Sequence, residues 1–246
     1  PGLTVEAATT EPVGAMLVGI KGDNGMNIIG TGGFTRAPEW AGSGEATAPT
    51  AFEDSSAGWT VNAYSGTHYI QLESGEWAAI AANTATSLTL ESSLTTGAGQ
   101  AYRIIPFHTL ASLFGEQNEA GFTGGSDITG ADMLLVWDAP AQEYGGVYYY
   151  NSSRTRWEDG GNNPAAQAIL YPDECLIIIG RSDKDILLNG TVPTGTSGGF
   201  LAGGDNVTVL PNPFPVDVPV ASSNFEAFLT GGPHAGEADW LLLWDA

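Results

Sequence analysis

The sequence predicts an all-β fold, two diverged β halves packed as sandwich-like sheets with two short helices, and three observations predict it. Apolar and polar residues alternate with a period of two through most of the middle of the chain, as half-buried strands require. An apolar strand phrase occurs twice, as Ala131 to Ala139 (ADMLLVWDA) and as Ala238 to Ala246 (ADWLLLWDA). Helical spacing is confined to two short stretches that each precede one of these phrases.

Residues 1–14 (PGLTVEAATTEPVG) are small and β-tolerant, without a helical stripe, and read as an extended N-terminal arm. A first β region, 15–107, opens on the strand Ala15 to Lys21. Turn chemistry at Asp23-Asn24-Gly25, a short strand at Asn27 to Gly30 and an irregular Pro-containing passage from Phe34 to Trp40 follow. A Gly/Ala/Ser/Thr-rich loop is expected to run to about Ala57. From Gly58 to Ile105 the pattern is a meander with strands at Trp59 to Ala63, His68 to Leu72, Trp77 to Ala82, Ser87 to Leu90 and Tyr102 to Ile105.

A second β region, 108–246, carries the repeats. A helix begins at His108 or Thr109, places Leu110, Leu113 and Phe114 on one face, and ends at Gly115. Its counterpart is Ser223 to Thr230, with Phe225, Phe228 and Leu229 in the same spacing before Gly231. Both nine-residue phrases read as fully buried strands between polar ends. The first runs on through Tyr148, Tyr149 and Tyr150 to the apolar strand Cys175 to Gly180, whereas the second ends the sequence. The repeat therefore predicts that Trp240, Leu241, Leu242, Leu243 and Trp244 take their neighbours from another subunit. Burial of these five side chains is worth about 8 to 15 kcal/mol as an upper bound.

With 7 Lys and Arg against 28 Asp and Glu, the formal net charge is −21, which disfavours nucleic acid and anionic membranes as partners. No apolar run is long enough to span a bilayer, so no membrane insertion is expected. Charged residues are 14% of the chain, so solubility rests on Ser, Thr, Asn and Gly, as in many extracellular β proteins. The single cysteine, Cys175, lies in an apolar run and reads as a packed core thiol. The opening at Pro1 fits a processed, exported protein, and the sequons at Asn151, Asn189 and Asn206 are candidate glycosylation sites in that setting.

Four blocks together carry a family resemblance: TTEPVG at 9–14, HYIQLESGEWAAIAANTATSLTL at 68–90, YRIIPFHTLASLFG at 102–115, and the two WDA strands. In their order the chain resembles an uncharacterised family of exported bacterial β-rich proteins with a signal peptide and a TDPVG-like start. The resemblance implies export and a β-rich fold; it implies no activity. It also implies that related chains continue past the second WDA strand.

No residue set argues for catalysis. Gly195-Thr196-Ser197-Gly198-Gly199 matches G-x-S-x-G, but its Thr/Gly/Pro surroundings lack the strand and helix that a nucleophile elbow needs. His68, His108 and His234 have no metal-ligand spacing. Asp23, Glu158, Asp159, Asp183 and Asp185 are oxygen donors available to calcium, without a recognised calcium-loop spacing, and no cofactor is expected for chemistry. The expected function is a structural subunit of an extracellular, pilus-like filament that polymerises by strand exchange. Its interface is Leu3, Val5 and Val13 of one arm against Trp240 to Trp244 of the next subunit. The alternative is a secreted carbohydrate-binding or adhesion module acting as a monomer, with Tyr148, Tyr149, Tyr150 and Trp157 as its aromatic group.

Overall fold

The structure, a computed structural model, describes residues 13–30, 35–95, 97–138, 141–191, 206–209, 229–234 and 238–239, without the side chains of residues 13–17 and 189. It is a mostly-β molecule of several antiparallel sheets, one of them closed into a barrel. Among the described residues there is one short helix rather than the expected two; residues 223–228 of the second candidate lie outside them.

The meander is a barrel. Strands β3 (Trp40–Ala48), β4 (Ala51–Glu53), β5 (His68–Leu72), β6 (Trp77–Asn83), β7 (Ser87–Leu90) and β8 (Gln100–Pro106) close in the order β3-β4-β7-β6-β5-β8. Register shifts at Ala46/Ala48 and Ile80/Ala82 supply the local bends that closure needs. Phe52, Ile70, Leu72, Ala78, Ile80, Leu88, Tyr102 and Ile104 fill the interior.

Two expectations are corrected here. The stretch read as a loop to Ala57 contains β3 and β4. It lacks an apolar period because two positions facing the packed interior are glycines. A Cβ at Gly42 would come within 2.8 Å of Asp54 Oδ2, and one at Gly44 within 2.4 Å of the Glu53 carbonyl and 2.6 Å of the Phe52 ring. The expected strand Trp59 to Ala63 is instead a turn-rich passage, with Asn62 at φ 56°, Trp59 buried and Val61 exposed. Of the alternating apolar positions only Trp59 is buried, in the barrel's apolar cluster, while Val61 and Ala63 face water.

Strands on either side of the barrel pair with one another. β1 (Val13–Ile20) pairs with β15 (Lys184–Thr191). A five-stranded sheet runs β12-β11-β10-β14-β2, built from β12 (Arg156–Asp159), β11 (Glu143–Asn151), β10 (Met133–Asp138), β14 (Cys175–Gly180) and β2 (Gly25–Gly30). The turn from β1 to β2 holds Asp23 at φ 55° and Asn24 at φ 62°, the left-handed pair that such a tight reversal demands, and Gly25 N–H donates to the Gly22 carbonyl at 2.8 Å.

The inner face of the five-stranded sheet presents Ile29, Leu176, Ile178, Leu134, Val136, Tyr150 and Trp157. It packs on Ile20, Ile186 and Leu188 and on the helix α1 (Leu110–Phe114). Helix α1 starts at a capping box in which Thr109 and Ser112 exchange hydrogen bonds, and Gly115 at φ 88° ends it, as its spacing predicts. A third cluster seats the barrel on the sheets: Tyr69 stacks on Phe107, and Trp77 stacks on Tyr171, next to β13 (Ile169–Leu170) paired with β9 (His108–Thr109).

Candidate functional site

Two kinds of sheet edge are present. Strand β12 reads RWED, three charges in four residues, and its outer side is covered: Ala165 N–H donates to the Trp157 carbonyl at 2.9 Å, and Glu158 bridges to Pro164. Charge and cover are how proteins protect an edge. Strands β1 (VGAMLVGI) and β2 (GMNIIG) carry no such charge and, among the described residues, have no such cover. Among the described residues each pairs on one side only, with β15 and with β14, and neither contains a charged residue or proline.

The β2 edge borders a half-buried apolar surface. On the outer face of the same sheet, Met26 and Ile28 continue through Ile179, Met133, Leu135 and Trp137, all of intermediate exposure. The first WDA strand, β10, is thus the central strand, but it buries one face fully, Leu134 and Val136, and the other only in part. Trp137 Nε1 and Gln142 Nε2 both donate to the Val207 carbonyl, at 3.0 and 2.9 Å, so residues 206–209 meet this surface at its Trp137 end.

Several acidic groups elsewhere are engaged by neighbouring donors. Glu158 has no exposed side-chain surface because Arg154 and Arg156 lie over it, with contacts of 2.9 and 2.6 Å; Tyr149 Oη and Asn151 Nδ2 each donate to Oε2 at 2.8 Å. Burial raises its pKa, and these four partners outweigh that, holding the carboxyl at about 2. Asp159 accepts from Gly161 N and Asn163 N, both at 2.8 Å, and Asp183 from Gly22 N at 2.8 Å. Asp23 sits in the β1–β2 turn, and Asp185 lies across from Gly19. No group of three metal-ligating side chains converges among the described residues.

The aromatic group proposed for sugar stacking is mostly interior: Tyr149, Tyr150 and Trp157 are buried and Tyr148 is half-buried. Asn151 is also buried, its amide nitrogen donating to Ser126 O and Glu158 and its oxygen accepting from Ser153 N and Arg154 N, so a glycan there would displace all four bonds. Asn206 is exposed; the side chain of Asn189 lies outside the described residues. Val13 is the first residue of β1, while Leu3, Val5, Trp240 to Trp244 and Gly195 to Gly199 lie outside the described residues. Cys175 is buried, and burial pushes its thiol up to about 12. Ellman's reagent is therefore expected to leave the native protein unmodified and to titrate one thiol per chain in denaturant.

Sequence reading missed a polar hub. Asp132, buried at the start of β10, receives Lys184 Nζ at 2.6 Å, Thr123 N at 2.6 Å and Arg181 N at 2.7 Å, and its own N–H donates to the Thr123 carbonyl at 2.9 Å. The second copy repeats the bracket. Asp239 N–H donates to the Thr230 carbonyl at 2.9 Å, and Thr230 N donates to Asp239 Oδ2 at 2.6 Å. The signal in the sequence is Thr-Gly-Gly followed by Ala-Asp, with the Thr nine residues before the Asp in both copies. The environments differ: Asp132 is buried under Lys184, whereas Asp239 is exposed.

Comparison with known proteins finds no matching family model, no matching curated protein and no matching solved structure.

Proposed function

We propose that this protein is a structural subunit of an extracellular filament, polymerising when the N-terminal arm of one copy adds as a strand to an unguarded sheet edge of the next. The observation that carries this reading is the contrast between edges. β12 is charged and covered, while β1 and β2 carry no charge, no proline and no second strand neighbour among the described residues. A strand added beside β2 would gain backbone hydrogen bonds and extend the apolar surface of Met26 and Ile28. An arm that adds head to tail need not close on itself, and where the rotation between copies does not close it makes a fibre rather than a dimer. The exported setting belongs to the same proposal, and the family resemblance and the charge-poor composition support it. At a net charge of −21, assembly should strengthen as added salt shortens the screening length.

The test compares the full chain with one lacking residues 1–12, which removes none of the described strands, by negative-stain electron microscopy at matched concentration and salt. Fibres are expected from the first and monodisperse particles from the second. Monodisperse particles from both would sink the filament reading. A second reading, a monomeric carbohydrate-binding or adhesion module, is favoured by one observation. In the barrel's apolar cluster half-buried Trp40 meets Trp59 edge to face, and neither indole N–H makes a well-formed hydrogen bond among the described residues. Glycan-array binding that persists without residues 1–12 would select it.

A further inference from the structure

Thr67, His68 and Glu39 form a polar triplet on the barrel. Thr67 ends the turn that leads into β5, and the backbone there is fixed from two sides: Phe107 N–H donates to the Thr67 carbonyl at 2.9 Å, and Gly66 N–H to the Ile80 carbonyl at 2.8 Å. Thr67 is exposed, and a Cβ built on Gly66 beside it would meet nothing within 4 Å, so this side of the turn is open to approach. His68 is 8% exposed. Its Nδ1 lies 2.8 Å from Thr67 Oγ1, and across the ring its Nε2 lies 3.1 Å from Glu39 Oε2. Tyr64 meets the ring edge to face, with centroids 5.0 Å apart.

The chemistry of the three groups decides which atom donates. A carboxylate only accepts, so the neutral ring carries its proton on Nε2, towards Glu39, and leaves Nδ1 as an acceptor. The Thr67 hydroxyl then donates to Nδ1; its other acceptor, the Tyr64 carbonyl, is farther away at 3.4 Å. The Glu39 contact has the distance of an ion pair without the alignment of a good hydrogen bond, and the Glu39 side chain, 52% exposed, has room to swing into line. A hydroxyl whose proton is held by a base, itself held by a third group, is how an alcohol becomes a nucleophile near neutral pH. Ser112 supplies the contrast. Its Oγ lies 3.1 Å from His108 Nδ1, but it accepts from Thr109 N–H and donates to the Thr109 carbonyl in the cap of α1. At Thr67 the two nearest backbone donors are engaged, Gly66 N–H with Ile80 and Thr67 N–H with the Tyr64 carbonyl at 3.3 Å, so neither is aimed at an oxyanion. That restricts the chemistry to donors whose leaving group departs readily.

We propose that Thr67 is a covalent acyl-acceptor site, with His68 as its general base and Glu39 as the residue that positions the base, and that it takes an acyl group from an activated aryl ester or thioester. Thr67 Oγ1 bonds to the carbonyl carbon of the donor as its proton passes to His68 Nδ1. The bond from that carbon to the leaving oxygen or sulfur breaks, the leaving group departs with the electron pair, and His68 returns the proton to it. The product is an ester on Thr67, and the step needs no oxidant or reductant.

Treating the full chain with p-nitrophenyl acetate and locating the acetyl group by peptide mass spectrometry tests this. Acetylation is expected at Thr67, faster than at Ser112 or any other hydroxyl. Thr67→Val should abolish it, Thr67→Ser should keep it, and His68→Gln should slow it about 100-fold. The rate should follow the neutral ring. Burial lowers the His68 pKa below 6.5, Glu39 raises it in part, and exposed Arg36 lowers it, so the rate should rise through an inflection below pH 6.5. Glu39→Gln should slow the reaction and move that inflection lower still, which a purely structural contact would not do. Glu39 is exposed, so this variant carries the test where His68→Gln does not fold. Acetyl groups confined to amines, a Thr67 rate no higher than that of Ser112, or a rate that neither His68→Gln nor Glu39→Gln changes would each overturn the proposal.

Discussion

Replacing Asp132 by alanine is expected to cost about 3 to 5 kcal/mol of stability, read as a shifted midpoint in urea unfolding without loss of the sheet signal at zero denaturant. The side chain has no exposed surface, and Lys184, its partner at 2.6 Å, is 15% exposed. Removing the carboxylate strands an ammonium in a site chosen for its neutralisation, and it leaves Thr123 N and Arg181 N without their acceptor. The same hub joins two segments distant in sequence, the 123–132 turn and the β14–β15 turn that carries Arg181 and Lys184. Asp132→Ala/Lys184→Met should recover much of the loss, because the uncompensated charge dominates it. Asp239→Ala supplies the contrast. It breaks the same bracket to Thr230, but at an exposed side chain and with no cation beside it among the described residues, and is expected to cost about 0.5 to 1.5 kcal/mol.

How much of this was legible depended on whether a position is fixed by its own chemistry or by what crosses it. Helix α1 was legible because Thr109, Leu110, Leu113, Phe114 and Gly115 each carry a local signal of cap, face or stop. His68 to Leu72, Ser87 to Leu90 and Cys175 to Gly180 were legible to the residue, since each is an apolar or alternating run bounded by turn residues. β3 was not, because Gly42 and Gly44 owe their identity to Asp54, Tyr102 and Phe52, which approach from elsewhere. Barrel closure was illegible for the same reason: it rests on the pairing of β3 with β8, from Trp40↔Ile104 to Gly44↔Gln100, across more than fifty residues of chain. The uncharged strands β1 and β2 occupy a middle ground. GMNIIG and VGAMLVGI show the absence of guarding charge, but only the strand order identifies which uncharged strands lie at an edge.

Trp157→Ala is expected to cost a comparable amount, about 3 to 5 kcal/mol, for an unrelated reason. Trp157 has no exposed surface and stands on the inner face of β12 between Phe114 of α1, Phe122 and Tyr150, with ring centroids 5.9, 5.7 and 5.5 Å away. Its Nε1 donates to the Gly115 carbonyl at 2.8 Å, just past the end of α1, so one side chain fixes how the helix lies on the sheet. Alanine leaves a cavity lined by three rings that cannot all collapse into it, and it leaves that carbonyl only the longer bond from Asn118 N at 3.3 Å. Trp157→Phe keeps most of the volume and loses the hydrogen bond, so it should retain more than half of the lost stability. This variant is informative beyond the core. β12 is held in place by Trp157 on one side and by the Arg154–Glu158–Arg156 cluster on the other. If guarding at β12 is what confines strand addition to β1 and β2, loosening β12 in Trp157→Ala should convert ordered fibres into irregular aggregates. A destabilised variant that still forms regular fibres would show that the choice of edge does not depend on β12.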